Sequence, residues 1–520
     1  MSAIEYIVKG IVEGEIRSKE ELEKAKINAC KLFNLKRLPS NSEILNNVRE
    51  EDYEKVLPLL RRKPVRTLSG VTVIAVMTDP YPCPHGRCAY CPGGPNENTP
   101  QSYTGSEPAS MRGKTLDYDP YKQVSFRIDQ LERIGHPVDK IELIVMGGTF
   151  TSRPSSYQIN FIKGCLEGIT EVRRENLSQV IKDCETSKRR VSGITIETRP
   201  DYSKEKHVDL MLSYGTTRVE LGVQTVFDDI LSKLDRGHTV EDVIEATKIL
   251  KDSGLKVCYH IMPGLPFSDF KRDLKAFKII LKEEFSPDML KIYPCVVVKG
   301  TKIYEWYKRG DYNPLGKDEA LKLILEAKKL LPKWIRTMRI QRDIPSNKIV
   351  AGVKKTNLGE LVYNRLALNK ERCRCIRCRE VGHKAYKEKI EPKDIDIVID
   401  SYNASDGKEY FISAEDIERD ILIGYLRLRI PSEPYRKELD KDTSLVREIH
   451  VYGPLSPVGM VFEDSYQHKG FGKKLLREAE LISLNEGMKR ISVTSGIGVR
   501  EYFKKLGYSL VGPYMIKGIG

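Results

Sequence analysis

Val71-Thr-Val-Ile-Ala-Val-Met77 is a short apolar run that leads, within a few residues, to Cys83-Pro-His-Gly-Arg-Cys88-Ala-Tyr-Cys91 and then Pro92-Gly93-Gly94. The run reads as a strand. Three cysteines in a C-x4-C-x2-C spacing can hold three corners of a [4Fe-4S] cluster, leaving the fourth iron open to a ligand that is not protein. S-adenosylmethionine (SAM) can fill that corner through its amino and carboxylate groups. Given one electron it splits into methionine and a 5′-deoxyadenosyl radical, a chemistry that belongs to the cofactor. The competing readings are a half zinc site or three unrelated core thiols. Against them, no fourth cysteine follows nearby, and Gly93-Gly94 lets backbone approach a ligand.

The usual radical-SAM spacing is C-x3-C-x-aromatic-C; here Tyr90 takes the aromatic place and the first gap is one residue longer. Beyond the triplet, strands and helices alternate over nearly three hundred residues. Lys140 to Val145, Ser192 to Ile196, Arg218 to Val223 and Val257 to Ile261 are short apolar or β-rich runs, with longer helical stretches such as Tyr121 to Arg133 and Val240 to Ser253 between them. That alternation predicts a parallel sheet wrapped in helices, a full or partial barrel with its chemistry at the strand C-terminal ends. The unusual residues lie at those ends: Met146-Gly147-Gly148-Thr149, Glu197-Thr-Arg-Pro-Asp201, Glu220-Leu-Gly222-Val-Gln224, and His260-Ile-Met-Pro-Gly264. In radical-SAM enzymes the glycine pair grips the methionine amino group, and a carboxylate such as Glu197 can bind ribose hydroxyls. Lys291-Ile-Tyr293 and Arg339-Ile-Gln-Arg342-Asp343 read as the last strands, their charges either lining the pocket or salt-bridged.

With 520 residues, 40% of them hydrophobic, the chain should hold more than one domain. No apolar run spans a membrane and no signal-peptide core opens the chain, so the expectation is a cytoplasmic protein without a membrane partner. Six of the 11 cysteines fall in two tight triplets, a pattern of metal ligation rather than of secreted disulfides. A net charge of +14 suits a polyanionic partner, though a solvated basic surface would give the same total. Residues 1–70 read as short helices ending in the basic run Arg61-Arg-Lys-Pro-Val-Arg-Thr67, either an RNA-phosphate grip or a solvated linker.

Residues 71–360 form the expected barrel domain and 361–395 a linker. The linker carries Cys373-Arg-Cys375-Ile-Arg-Cys378, with His383 five residues on, a set that fits a tetrahedral structural zinc. His383, water or a distant residue completes the four. Residues 396–520 change character: four consecutive strands precede Gln467-His468-Lys469-Gly470-Phe471-Gly472, which opens a helix. A glycine turn at a helix start offers free N–H groups and the positive dipole end to a pyrophosphate. In this strand-turn-helix-strand order it is the acetyl-coenzyme A motif of GNAT acetyltransferases.

Together these stretches carry a resemblance. Cys83 to Gly94, Pro100 to Gly105, Val145-Met-Gly-Gly-Thr-Phe150, Ile194 to Tyr202, Gln341-Arg-Asp-Ile-Pro345, Arg447 to Gly453 and Gln467 to Gly472 resemble, in this order, the Elongator catalytic-subunit family and its archaeal homologues. The likeness runs from about Val65 to Tyr514. It implies an α/β chain: a small helical N-terminal segment, a radical-SAM partial (β/α) barrel, a zinc-stapled linker and a GNAT domain. It further implies formation of 5-carboxymethyluridine at the wobble uridine of tRNA. The deoxyadenosyl radical would take hydrogen from the acetyl-CoA methyl, and the carbon radical would add to C5 of uridine before thioester hydrolysis. On this resemblance Lys140 contacts acetyl-CoA near the SAM pocket, and Gly147, Gly148, Thr149 and Glu197 hold SAM. Glu448, Ile449, His450 and Val451 pair with the pantetheine arm, and Gln467 to Gly472 take the pyrophosphate. Many GNAT enzymes place a leaving-thiolate tyrosine where this chain has Phe503; Tyr502 beside it is assigned to acetyl-CoA binding or thioester hydrolysis. An external electron donor is implied, and a homodimer or accessory subunits are compatible. The competing functions are a protein lysine acetyltransferase with a structural cluster and an RNA-binding scaffold with vestigial cofactor folds.

Overall fold

The computed structural model describes residues 1–61, 69–355, 357–453 and 470–520, with positions 386 and 387 described by their backbone alone. The first sheet is built from β1 (Thr72–Met77), β2 (Lys140–Met146), β3 (Arg190–Thr198), β4 (Arg218–Gln224), β5 (Lys256–Ile261) and β6 (Met289–Ile292). After the two-residue β7 (Val297–Val298) it closes with β8 (Arg336–Ile340). The order is β1-β2-β3-β4-β5-β6-β8, every pair parallel. The sheet stays open between β1 and β8, so it is the partial barrel expected. β7 pairs only with β9 (Ile349–Ala351), antiparallel.

The period-two pattern of the strands sorts residues between two faces. Ile141, Leu143, Val145, Ile194, Ile196, Val219, Leu221 and Val223 are buried in one apolar core with helical residues such as Val124, Ile128, Phe161, Val243 and Leu250. The alternate positions point into the bore and include the charged residues Glu142, Glu197, Arg218, Glu220 and Lys291. Arg218 reaches Glu142 and Glu220, and Lys291 bridges Glu197 and Glu220.

Ahead of the barrel, helices Ala3–Val12, Lys19–Leu32, Asn41–Leu45 and Glu50–Leu60 enclose a small core of their own around Ile7, Leu22, Ala29, Ile44 and Val56. Arg61 Nε donates to Gly135 O at 2.8 Å and ties this unit to the barrel. The rest of the basic run, from position 62, lies outside the described residues.

The second sheet comprises β10 (Asp396–Ala404), β11 (Gly407–Asp416), β12 (Ile421–Ile430), β13 (Thr443–Val451), β14 (Arg490–Val493), β15 (Ser509–Val511) and β16 (Tyr514–Gly518). Its order is β10-β11-β12-β13-β14-β16-β15; only β13 and β14 run parallel. Those two pair from Thr443–Arg490 to Val446–Val493, after which β13 continues to Val451 paired with β12 on its other edge.

This sheet is seated on the N-terminal ends of the barrel strands. A Cβ on Gly496 would lie 2.2 Å from Ser192 O, and one on Gly498 2.6 Å from Val191 N. Arg447 clasps Asp288 with both Nη atoms at 2.7 Å, and Arg429 donates to Asp252 at 2.6 Å. Arg427, Arg429, Arg447, Lys251, Asp252, Asp288 and Glu409 are all essentially sealed from solvent. Charges this deep are tolerated only because each meets a partner.

Candidate active site

All of the loops that follow the barrel strands converge on one cleft enclosing about 1040 Å³ of empty space, open solvent included. It is lined by Cys83 and Tyr90 after β1, Gly148 and Thr149 after β2, and Glu197 and Arg199 on and after β3. Tyr103, Glu220, Arg236, His260, Lys291, Tyr293, Arg339 and Arg342 are among the other lining residues.

The cysteine loop is packed in place by glycines and arginines. Gly93, expected to admit a ligand, instead admits the chain's own backbone: a Cβ there would sit 2.0 Å from Tyr103 O and 2.4 Å from Thr99 Oγ1. Cys83 Sγ lies 3.3 Å from Thr149 Oγ1, and Cys88 Sγ lies 3.1 Å from His85 Nε2 and 3.5 Å from Arg236 Nη1. Arg236 also donates to Gly222 O at 2.5 Å, and a Cβ on Gly222 would be 2.5 Å from Nη2. That contact explains the glycine in Glu220-Leu-Gly222. Thr239, three residues after Arg236, opens a capping box with Asp242 and starts the helix Val240–Asp252.

The sulfurs of Cys83, Cys88 and Cys91 do not all lie within 4.8 Å of one another, whereas those of Cys373, Cys375 and Cys378 do. A single tetrahedral ion with metal–sulfur bonds near 2.3 Å needs sulfurs about 3.8 Å apart. The second triplet suits one ion; the first, wider and edged by buried cations, suits the body of a [4Fe-4S] cluster. Burial pushes the Cys91 thiol up to about 11, and burial with the nearby Arg199 pushes His85 down to about 3, so that ring faces Cys88 uncharged.

Gly147 and Gly148 both have positive φ, at 129° and 85°. A Cβ on Gly147 would be 2.1 Å from Thr78 Oγ1, so only glycine fits this turn. Beyond it Glu197 accepts from Tyr103 Oη at 2.9 Å and from Lys291 Nζ at 3.3 Å. Glu220 meets His260 Nε2 at 2.8 Å, and the His260 ring packs edge-on against Tyr293. Burial would raise the Glu220 carboxyl, but Lys291, His260 and Arg218 hold it well below the carboxylate range. Arg339 pairs with Asp343, so the charges of Lys291 and Arg339 both line the cleft and are salt-bridged.

Two expectations are corrected. Lys140 opens β2 in register with Arg190, so it sits about 20 Å of strand from Met146 and the mouth. It does not line the cleft, which corrects its place near the SAM pocket and not its pairing with acetyl-CoA; the strand end it occupies is the one packed under the second sheet. His383 Nε2 lies 2.9 Å from Glu380 Oε1, and His383 is not grouped with the three sulfurs. Glu380 in turn ion-pairs with Arg336 at 2.7 Å, so the histidine belongs to that network.

In the second domain the helix Phe471–Asn485 starts at Gly470, whose φ is 80° and which makes no side-chain cap. Val451, Gly472 and Tyr502 converge: a Cβ on Gly472 would meet Tyr502 Oη at 3.3 Å and Val451 Cγ2 at 4.0 Å. Ile449 and Val451 pack toward the domain core, Glu448 accepts from Arg427 at 2.9 Å, and His450 Nε2 lies 2.9 Å from Ser69 O. Gln467, His468 and Lys469 fall outside the described residues.

The residues that sequence reasoning missed are Arg199, Arg236, Tyr103 and the Glu220–His260 pair as a pair. A signal existed for the last. Arg218, Glu220, Lys256, Cys258 and His260 recur at every second position of two strands whose other face is apolar.

A parallel partial barrel with a cysteine triplet at its mouth, joined to a sheet whose parallel strands splay beside a glycine turn, defines a radical-SAM domain fused to an acetyltransferase-like domain. Residues 80–277 match the Radical SAM superfamily, 287–367 the Radical_SAM C-terminal domain, 376–508 the Acetyltransferase (GNAT) family and 1–68 the ELP3 N-terminal domain. The chain is 53% identical to the tRNA uridine(34) acetyltransferase of Methanocaldococcus infernus, over 99% of this chain and 98% of that protein. It is 42% identical to Homo sapiens Elongator complex protein 3, over 99% and 97% of the two chains. The solved structure of archaeal Methanocaldococcus infernus Elp3 with an N-terminus deletion (1–46) superposes with a TM-score of 0.78 at 50% identity, over 87% of this chain and all of that one. The chain belongs to the Elp3 family. A radical-SAM domain implies a [4Fe-4S] cluster and SAM, and a GNAT domain implies acetyl-CoA. Among the described residues no helix is long and apolar enough to cross a membrane.

Proposed function

We propose that the protein is a tRNA-modifying enzyme that uses SAM and acetyl-CoA to build 5-carboxymethyluridine at the wobble uridine. The observation that carries the reading is the pairing, in one chain, of a wide sulfur triplet at a barrel mouth with a Gly470 turn beside Tyr502. The relatives that are 53% and 52% identical over nearly the whole chain are named tRNA uridine(34) acetyltransferase. That naming lends nothing to a protein lysine acetyltransferase.

Cys83, Cys88 and Cys91 would hold the cluster. With SAM bound, it would supply a carbon radical able to take a hydrogen atom from a methyl group. The chain's own residues do the positioning. Gly147 and Gly148 keep the mouth free of side chains, and Thr149 and Glu197 offer oxygens to SAM. Lys291 orients Glu197 through their ion pair, and the Glu220–His260 pair presents an imidazole to whatever enters the cleft. In the second domain the strand Glu448–Val451 would pair with pantetheine, the turn at Gly470 to Gly472 would take the pyrophosphate, and Tyr502 would stand at the acyl end. The helical unit of residues 1–70 would grip tRNA phosphates, and an external donor would supply the electron.

The reading is tested by incubating anaerobically reconstituted protein with SAM, tRNA and acetyl-CoA deuterated in the methyl group. Deuterium in 5′-deoxyadenosine, with carboxymethylated uridine in the digested tRNA, is the expected result. Acetylated lysine with no change in the nucleosides would replace it by the acetyltransferase reading.

A further inference from the structure

Helix Lys317–Leu330 buries an ammonium group beneath the linker. Lys328 is fully buried; its Nζ lies 3.0 Å from Cys375 Sγ and 3.1 Å from Thr337 Oγ1, and Thr337 Oγ1 is itself 3.6 Å from the same sulfur. Its remaining neighbour is the face of Tyr363, whose ring centroid is 5.2 Å away. No carboxylate forms an ion pair with Lys328 among the described residues. A cation sealed in this way needs a negative charge beside it, and the groups at hand are the sulfurs of Cys373, Cys375 and Cys378.

The three sulfurs fit a divalent ion. They are drawn within 4.8 Å of one another, Cys373 and Cys375 are buried, and the backbone that carries them is pinned by Ile376 N donating to Ile335 O at 3.0 Å, just before β8. Three thiolates around a divalent ion leave one net negative charge. The structure assigns that charge's counter-ion to Lys328: the ammonium is a positioning residue for the metal, donating to Cys375 Sγ from outside the coordination sphere. His383 being engaged with Glu380, the fourth corner is left to water or another small ligand. Through Lys328 the metal also acquires a connection to the barrel, because this helix and β8 pack in the barrel core while the linker leads directly into β10. The inference concerns metal affinity and stands apart from the tRNA reading.

The sign of the effect follows from charge balance. Lys328→Met removes the ammonium while an unbranched side chain fills the same buried space, so the metal-free chain keeps its fold. The loaded site would then bury an uncompensated negative charge. Loss of such an outer partner weakens metal binding by about 10–100-fold. Lys328→Arg keeps the charge and should retain most of the affinity.

The test titrates full-length wild type, Lys328→Met and Lys328→Arg, each stripped of metal, with zinc against a chromophoric chelator; circular dichroism and thermal midpoints are recorded with and without zinc. The expected result is one zinc bound by the wild type beyond the needs of the iron site, a 10–100-fold loss in Lys328→Met with an unchanged metal-free midpoint, and recovery in Lys328→Arg. Competition curves of wild type and Lys328→Met that superimpose would overturn the assignment. So would a wild type that binds no zinc, or a Lys328→Met chain whose metal-free form is the one that loses stability, which would make the residue a packing element only.

Discussion

Asp288 is the hinge pin of the domain contact, and replacing it by alanine gives a calculable effect. One carboxylate oxygen accepts from Arg447 Nη1 and from Val257 N, at 2.7 and 2.8 Å, and the other from Arg447 Nη2 at 2.7 Å. Arg427 and Lys251 add weaker attraction at 3.6 and 3.9 Å. Burial would raise this carboxyl, but Arg447, Lys251 and Arg427 hold it far below its ordinary range. Removing one member of a buried pair costs about 3–5 kcal/mol because the other charge is stranded. Glu409 still meets Arg447 at 2.7 Å, which places the Asp288→Ala cost at the low end, about 3 kcal/mol. At 1.36 kcal/mol per power of ten, the separated or opened population rises by roughly two orders of magnitude. Native-state hydrogen exchange in β6 and β13, read against β2 as an internal control, should show that acceleration. The double change Asp288→Leu with Arg447→Met should restore much of the protection, since it leaves one fewer charge unmatched. Exchange in β6 and β13 that does not respond to Asp288→Ala would refute the view that these charges join the domains.

Gly470→Glu should keep the overall fold, since no atom of the described residues lies within 4 Å of a Cβ built there, yet set a carboxylate against the pyrophosphate at some local backbone strain; acetyl-CoA hydrolysis unchanged from wild type would remove the turn from that role. Gly222→Ala drives a methyl to 2.5 Å from Arg236 Nη2 and should cost about 1–3 kcal/mol, with less iron retained per chain after reconstitution, both measurable by urea midpoint and iron assay. Glu380 and Glu448 are each lowered to about 2 from 4.5: burial opposes the shift, and Arg336 for the first, Lys256 and Arg427 for the second, overcome it. Folded values below the unfolded one give stability that is complete above about pH 4.5 and drains away as the pH falls towards 2, so Glu380→Gln should flatten the loss of unfolding midpoint across that window.

The alternation of the barrel was legible because its strands are short apolar runs bounded by turns, and the structure extends them by only one or two residues at either end. The meander after residue 396 was legible for the same reason. What escaped was the hairpin Ser509–Val511 with Tyr514–Gly518: a strand of three exposed residues carries no periodic signal. The domain contact was not legible in the sequence. Arg427-Leu-Arg429 alternates as a solvent-facing strand would, but its polar face is turned onto Asp252 and Asp288 at the barrel's far end. Lys140 was misplaced because a motif gives a residue's neighbours in the chain and not which end of a strand they occupy. His383 was a reasonable ligand by spacing, yet Glu380, three residues earlier on the same turn of helix, competes for the ring at shorter range. The mouth itself was read from its glycines and cysteines, whereas Arg236 and Arg199 are single charged residues in loops, and nothing in their local pattern marks them as facing sulfur.

The central claim is that an open-cornered sulfur triplet drives the joining of a two-carbon unit to RNA. It is tested most directly by counting 5′-deoxyadenosine and modified uridine formed by anaerobically reconstituted wild type and Cys91→Ala, with SAM present and omitted. The account predicts both products in the wild type with SAM, and neither in Cys91→Ala nor in any reaction lacking SAM, while Cys91→Ala keeps the wild-type circular dichroism. Uridine carboxymethylated equally well without SAM would contradict it.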